Sequence, residues 1–193
     1  MYKLCKTEQS AARQRELEAG LLRAMETTRY EDISVCDLCD RLQVPRKSFY
    51  RYFTSKDGAL QALMDHSLME FDLFALDYEK DSRTVNLDLE RFFQFWLAHR
   101  DLLDALARSG LTGMLIERAI AYALSDEILP RRFLPGDSLE MQQQITMFSV
   151  CGLMSMVLTW HNSGFEKTAQ EMACIAVRML SQPLFPNADR YIR

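Results

Sequence analysis

The chain has 193 residues, of which 48% are hydrophobic, 26% charged and 10% aromatic, a balance that is too apolar for intrinsic disorder. Its seven Gly and five Pro are too few for an all-β fold with many turns and favour long helices. The formal net charge is −4, but residues 1–56 hold 11 Lys/Arg against 8 Asp/Glu, so a basic N-terminal part that is suited to meet a polyanion precedes an acidic remainder.

The N-terminal part is predicted to form a packing helix followed by two short helices. Apolar residues at four-residue intervals indicate an amphipathic helix over about residues 10–28. Ser34 and Asp37 form a capping box that opens a short second helix. Pro45 is placed to begin a third helix of about two turns that ends at Tyr52. Two short helices joined by a tight turn behind a packing helix are the layout of a helix-turn-helix.

Helical periodicity continues through the rest of the chain. Thr54 and Asp57 are expected to cap a long fourth helix, and helical spacing resumes over residues 89–107 and again from about residue 113. Two capped helices are predicted at the end. The first is opened by Asp137 and Glu140 and stops at Gly164, and the second is opened by Thr168 and Glu171 and ends before Pro183. We therefore predict an all-α fold of about eight helices with no convincing strand.

The third predicted helix carries the residues best suited to DNA. Residues 46–56 contain four cations and no acidic residue. Val44, Phe49 and Phe53 are expected to face inward, which leaves a polar, cationic face for phosphates and base edges of a major groove. The candidate DNA-binding residues are Arg46, Lys47, Ser48, Tyr50, Arg51 and Lys56.

Residues 44–57, with their Tyr-x-Tyr-Phe-x-Ser-Lys core, resemble the recognition helix of the TetR family of bacterial transcriptional regulators. The resemblance covers about residues 15–60, and this chain has Arg29 and Gln43 where the family usually has Gly. It implies a helix-turn-helix DNA-binding domain over residues 1–56 and a helical regulatory and dimerisation domain over residues 57–193. It also implies a cytoplasmic homodimer that binds palindromic operator DNA, acts as a repressor and is released by a small apolar ligand.

Two further sets of candidates depend on this resemblance. The helical body of such regulators encloses a ligand pocket, and the last two helices form a four-helix bundle with a second subunit. The candidate pocket residues are Phe92, Trp96, His99, Met114, Tyr122, Met147, Phe148, Cys151, Met154 and Trp160. The candidate dimer-interface residues are Met172, Ile175, Ala176 and Met179. Apolar stripes of both kinds are also typical of an ordinary helical core.

Other chemistry finds less support in the sequence. Cys36 and Cys39 form a C-x-x-C pair, but no second pair of metal ligands accompanies it, and we expect neither a metal nor another cofactor. The most apolar stretch, residues 145–160, falls short of a bilayer span, so no membrane contact is expected. No catalytic motif is present, so we do not expect an enzyme. The remaining alternatives are a helical adaptor that binds protein through its basic head and an enzyme that uses the apolar body.

Overall fold

The computed structural model describes residues 1–77, 85–125 and 138–181. These ranges contain nine α-helices and one 3₁₀ turn at Tyr30–Asp32, and within them the one element of β pairing is an isolated bridge between Tyr2 and Phe53. The predicted all-α class is therefore confirmed. The helices are α1 Glu8–Met25, α2 Val35–Arg41, α3 Arg46–Tyr52, α4 Lys56–Asp77, α5 Val85–Ala98, α6 Arg100–Arg108, α7 Thr112–Ala123, α8 Leu139–Asn162 and α9 Ala169–Ser181.

The chain divides into two compact units. One unit comprises Met1–Glu70 and Asp101–Cys151, and the other comprises Phe71–Arg100 and Gly152–Arg193. The first unit therefore holds α1, α2, α3 and most of α4, together with α6, α7 and the first half of α8. The domain boundary at residue 56 stays a prediction.

The first unit packs α1 and α4 around the two short helices. Leu17, Leu21, Phe49 and Leu60 are all at most 1% exposed, so each of these four residues is fully buried in the core. A buried polar contact accompanies this packing, because the carboxylate of Glu18 lies 2.9 Å from the imidazole of His66.

The predicted helix starts are confirmed only in part. α3 begins at Arg46, so Pro45, which was predicted as its first residue, is the extended residue just before it. The Ser34–Asp37 box is formed, since each residue's side chain bonds the other's backbone N–H. The proposed Thr54–Asp57 box is wrong. Ser55 caps α4 instead, because its hydroxyl accepts the Gly58 N–H at 3.2 Å. Both predicted partners are engaged elsewhere, as Thr54 donates to the carbonyl of Met1 and Asp57 accepts from the phenol of Tyr30.

The helix predicted over residues 89–107 is interrupted at His99, which separates α5 from α6. The ring nitrogen of His99 lies 2.9 Å from the carbonyl of Phe95, and the two rings stack with centroids 4.0 Å apart. A side chain that bonds a nearby backbone carbonyl competes with continuation of the helix. The apolar spacing persists across the break, so periodicity alone could not reveal it.

The last two predicted helices start with Ser or Thr caps. Ser138 accepts the Met141 N–H at 3.2 Å at the start of α8, whereas the predicted cap Asp137 lies outside the described residues. The predicted box of Thr168 with Glu171 is formed at the start of α9. In the second unit, α9 packs along α5. The rings of Phe93 and Trp160 meet edge to face at 5.6 Å in the same unit.

Candidate nucleic-acid interface

The turn between α2 and α3 is tight and depends on one residue with a left-handed backbone. Gln43 has a φ of 53°, in the region where Gly is favoured. The Val44 N–H donates to the carbonyl of Cys39 at 2.9 Å, which closes the turn against the end of α2. The sequence already marked this position, because the TetR-like pattern has Gly there and this chain does not.

Buried aromatic residues hold α3 on the unit. Phe49 and Phe53 are fully buried, with ring centroids 5.1 Å apart, and Tyr52 is 7% exposed. Their spacing places them on one face of the short helix, which leaves the opposite face to solvent. The inward orientation expected for Phe49 and Phe53 is therefore what the structure shows.

The opposite face of α3 carries the candidate DNA-binding residues. Arg46, Lys47, Tyr50 and Arg51 are exposed, with half of the Tyr50 surface accessible, and Ser48 is half-buried. All of these residues except Arg46, together with Pro45, line a shallow surface groove of about 560 Å³.

The cations on this face differ in their partners. Lys47 and Arg51 form no ion pair with any residue in the described part of the chain. The guanidinium of Arg46 instead contacts the thiol of Cys36 on α2. Since an exposed cation without a protein partner loses no internal contact when it meets a phosphate, Lys47 and Arg51 are the most readily available.

Lys56 does not extend freely into solvent. Its ammonium donates to the carbonyls of Tyr30 at 2.5 Å, Ile33 at 2.6 Å and Glu31 at 3.3 Å. It also lies 4.2 Å from the centroid of the Tyr30 ring, within the range of a cation–π contact. The first turn of α4 is thus tied to the 3₁₀ turn that precedes α2.

That same turn is held from a second side by the end of α6. The Tyr30 N–H donates to the hydroxyl of Ser109 at 3.0 Å, and Arg108 donates to the carbonyl of Met25 at 2.5 Å. Burial, and then the hydrogen bond to Asp57, raise the pKa of the Tyr30 phenol far above its usual range, so the phenol stays protonated as a donor. Sequence reasoning did not single out these residues, because side chain-to-backbone contacts at long separation leave no periodic signal.

The candidate pocket residues fall in both units. In the second unit, Phe92 and Trp96 have ring centroids 6.4 Å apart, and Trp96 and His99 have centroids 6.5 Å apart. The indole N–H of Trp96 is buried and has no hydrogen-bond partner in the described part of the chain. Met154 and Trp160, each 2% exposed, complete the candidates in this unit.

The candidates in the first unit are more accessible. Met114 and Tyr122 on α7 and Cys151 on α8 are half-buried. Met147 and Phe148 are 38% and 64% exposed, so in the single chain they lie on the outside of α8. The pocket itself stays a prediction.

The candidate interface stripe on α9 divides into two faces. Met172 and Ala176 are 7% and 1% exposed, and they are buried within the single chain. Ile175 and Met179 are 38% and 49% exposed. Only the second pair is therefore available to another molecule among these four residues.

The described residues contain neither a candidate metal site nor a candidate membrane-spanning helix. No group of three or more His, Cys, Asp or Glu side chains is placed there to hold a metal ion. No described helix is both long enough and apolar enough to cross a membrane.

Comparison with solved structures gives the class of the fold. The fatty acid degradation regulator FadR from Bacillus halodurans has a TM-score of 0.60 at 13% identity, over 89% of this chain and 99% of that one. FadR from Bacillus subtilis in complex with stearoyl-CoA has a TM-score of 0.57 at 12% identity, over 89% and 99% of the two chains. The TetR family repressor AlkX from Dietzia sp. strain DQ12-45-1b has a TM-score of 0.57 at 16% identity, over 86% and 92%.

The chain therefore has the fold of a helical transcriptional regulator, with an N-terminal helix-turn-helix and a helical C-terminal part. More particularly, the fold is TetR-like, as the residues around α3 predicted. No protein-family profile and no curated protein sequence matches the chain.

Proposed function

We propose that the chain is a TetR-like transcriptional repressor that binds palindromic operator DNA as a homodimer. The observation that supports this proposal is the cationic, exposed face of α3. Lys47 and Arg51 flank the exposed Tyr50 there, on a helix anchored by the buried Phe49. An α-helix fits the major groove of duplex DNA, and a face without acidic side chains suits the phosphates on both sides.

The positions along α3 suggest different roles for its side chains. In helix-turn-helix proteins the N-terminal residues of the second helix reach base edges, so Arg46 and Lys47 are assigned to base contacts. Ser48, Tyr50 and Arg51 are assigned to phosphates. Lys56 was expected beside them, but its three carbonyl partners favour a role in positioning the turn before α2.

The homodimer is supported by exposed apolar side chains on the last two helices. On α9 these are Ile175 and Met179. On α8 they are Met141, Ile145 and Phe148, which share a helical face by their spacing of four and three. Phe148 was assigned to the pocket from sequence, but its 64% exposure fits a surface that a second copy covers.

Gel filtration with light scattering tests the dimer. We expect the native chain to be dimeric at micromolar concentration and Ile175→Glu to shift it towards monomer, because a charge would be buried at the interface. Gln170→Glu, at an exposed polar position of the same helix, is the matched control and should leave the dimer intact. A monomeric native chain contradicts the assignment.

We assign release of the chain from DNA to the binding of a small apolar ligand in the helical body. The aromatic residues Phe92, Trp96 and Trp160 of the second unit and the unpartnered indole N–H of Trp96 suit an apolar molecule with a hydrogen-bond acceptor. The complex of Bacillus subtilis FadR with stearoyl-CoA makes an acyl-CoA a suitable first probe. We expect stearoyl-CoA, unlike free coenzyme A, to lower DNA affinity. An equal effect of both compounds contradicts an apolar site for this probe.

Selection from random duplex DNA at near-physiological salt is the experiment that tests the function. Recovery of a palindrome supports the regulator, and Arg51→Ala should reduce enrichment whereas Lys167→Ala, at an exposed position between α8 and α9, should not. No enrichment by the native chain at any concentration refutes the proposal and leaves the protein-binding adaptor. Transcription from a promoter carrying the recovered site then distinguishes repression from activation.

A further inference from the structure

Residues 1–6, which we call the N-terminal arm, lie beside the end of the recognition helix. Tyr2 forms an antiparallel bridge with Phe53, and the Lys3 N–H donates to the carbonyl of Tyr52 at 2.9 Å. The backbone N–H and the hydroxyl of Thr54 both donate to the carbonyl of Met1, at 3.2 and 2.8 Å. The arm is thus paired, residue by residue, with the three residues that end α3 and follow it.

Tyr2 anchors the arm to α4. Its phenol donates to Asp65 at 3.0 Å, and its ring meets the ring of His66 edge to face at 5.5 Å. Asp65 is in turn held by two bonds from Arg118 of α7, at 2.5 and 2.7 Å. The arm also bonds α1, because Gln14 donates to the carbonyl of Lys3 at 3.3 Å.

Gly58 on α4 makes room for this docking. A Cβ at this position would lie 2.4 Å from the carbonyl oxygen of Met1 and 3.0 Å from its carbonyl carbon. These are backbone atoms, so no side-chain rotation can relieve the contact. A residue with a side chain at position 58 would therefore displace the first residue of the arm.

The N-terminal arm contributes two cations beside the end of α3. Lys3 and Lys6 are exposed, residues 1–7 contain no acidic residue, and neither lysine forms an ion pair among the residues that the structure describes. Side chains alternate along an extended segment, so the inward Tyr2 leaves Lys3 to point outward. The backbone of Lys3 is bonded to Tyr52, whose chain neighbour is the exposed Arg51 of the DNA-facing surface.

We propose that the N-terminal arm is a second DNA-binding element, in which Lys3 and Lys6 contact backbone phosphates next to the groove that α3 enters. This inference rests on the proposed DNA-binding function and extends its contact surface. The contacts are electrostatic and independent of base sequence, so they add affinity and salt dependence without specificity. Docking through Tyr2 and Gly58 holds Lys3 in place before DNA arrives, which lowers the ordering cost of binding.

The first test measures binding of the full-length chain against salt. The probes are the selected palindrome and a labelled random-sequence duplex of about 30 base pairs, titrated at about 50–300 mM salt. We expect Lys3→Ala with Lys6→Ala to flatten the slope of log K against log salt by about 0.9 per lysine and per bound chain on both probes. At about 0.1 M salt, each lost contact corresponds to a roughly eightfold weaker complex.

The outcomes separate this inference from the proposed function. If the native chain binds neither probe, the proposed function fails. If it binds and the double variant keeps the native slope, the arm makes no phosphate contact and the inference is overturned. Lys167→Ala serves as the control for removal of an exposed lysine and should keep the native slope.

A second variant tests the docked position without changing charge. Gly58→Ala keeps both lysines and introduces the better helix former, but its Cβ collides with the backbone of Met1. We expect lower affinity for both probes while the thermal midpoint stays within a few degrees of the native value. Gly113→Ala, whose Cβ meets no described atom within 4 Å, is the matched control. Native affinity of Gly58→Ala would overturn the docking requirement.

Discussion

The structure assigns Lys56 a role that differs from that of Lys47, although the two residues look alike in sequence. The ammonium of Lys56 donates to three carbonyls in the turn between α1 and α2 and covers the ring of Tyr30. Lys56→Met keeps most of the side-chain stem and removes the charge and its bonds. We therefore expect this substitution to destabilise the helix-turn-helix with little effect on the salt dependence of DNA binding.

The size of the stability loss that we expect for Lys56→Met follows from the bonds that the substitution removes. A hydrogen bond to a charged group contributes about 1.5–3 kcal/mol, and a cation–π contact at a partly exposed site contributes about 0.5–1 kcal/mol. Lys56 is half-buried, so water can replace some of these contacts in the variant. We expect a net loss of about 2–3 kcal/mol in the free energy of unfolding, which for a chain of this size lowers the thermal midpoint by roughly 4–12 °C.

Thermal unfolding and a salt titration of DNA binding, made on the same proteins, provide the assay. Arg51→Met is the control, because Arg51 is exposed, forms no ion pair in the described ranges and is assigned to a phosphate contact. It should leave the midpoint unchanged and flatten the salt slope by about 0.9 per bound chain. The reasoning is refuted if Lys56→Met melts like the native chain and flattens the slope by the same amount.

Three further substitutions test the ion pair between α4 and α7, the turn before α3 and the cap of α2. Arg118→Ala removes both bonds to Asp65, whose side chain is 10% exposed, and should cost about 2–4 kcal/mol in urea unfolding; less than about 1 kcal/mol contradicts the ion pair. Gln43→Gly should gain about 1 kcal/mol in the same assay by relieving the φ of 53°, and a loss contradicts that strain. Hydrogen bonds from Ser34 lower the pKa of Asp37 below its usual 3.8, so its stabilisation is complete above that value and is lost as pH falls through the lower folded value. Asp37→Asn should therefore lower the thermal midpoint near pH 7 by an amount that shrinks as the pH falls below 3.8, and a difference that does not change with pH contradicts the assignment.

The order of helices and the inward face of α3 were predictable because they depend on local chemistry. Ser34 and Asp37 are three residues apart and carry the two side chains of a capping box, so the start of α2 could be placed to the residue. The same rule failed for Thr54 because its hydroxyl is taken by a residue 53 positions away. A local signal predicts a cap only where no distant partner competes for the same atoms.

Close packing between helices also could not be predicted from the sequence. A Cβ on Gly20 of α1 would lie 2.5 Å from the side chain of Leu42, at the end of α2. In sequence, Gly20 is a weak position within a helix, and Leu42 is one apolar residue among several. Together they form one contact, in which the missing side chain on α1 accommodates the larger one after α2. Neither residue can be interpreted without the other, and 22 positions separate them.

The candidate DNA-binding residues illustrate the same limit in electrostatic terms. An acid-free run of residues predicts a cationic surface, but it does not predict which cations the protein itself uses. Arg46 contacts the thiol of Cys36 and Lys56 is bound to carbonyls, whereas Lys47 and Arg51 form no ion pair in the described chain. A phosphate must compete with existing protein partners at Arg46 and Lys56. At Lys47 and Arg51 it competes only with water. If the chain binds DNA as we propose, we therefore expect its affinity to depend on the number of cations without protein partners rather than on the total in the segment.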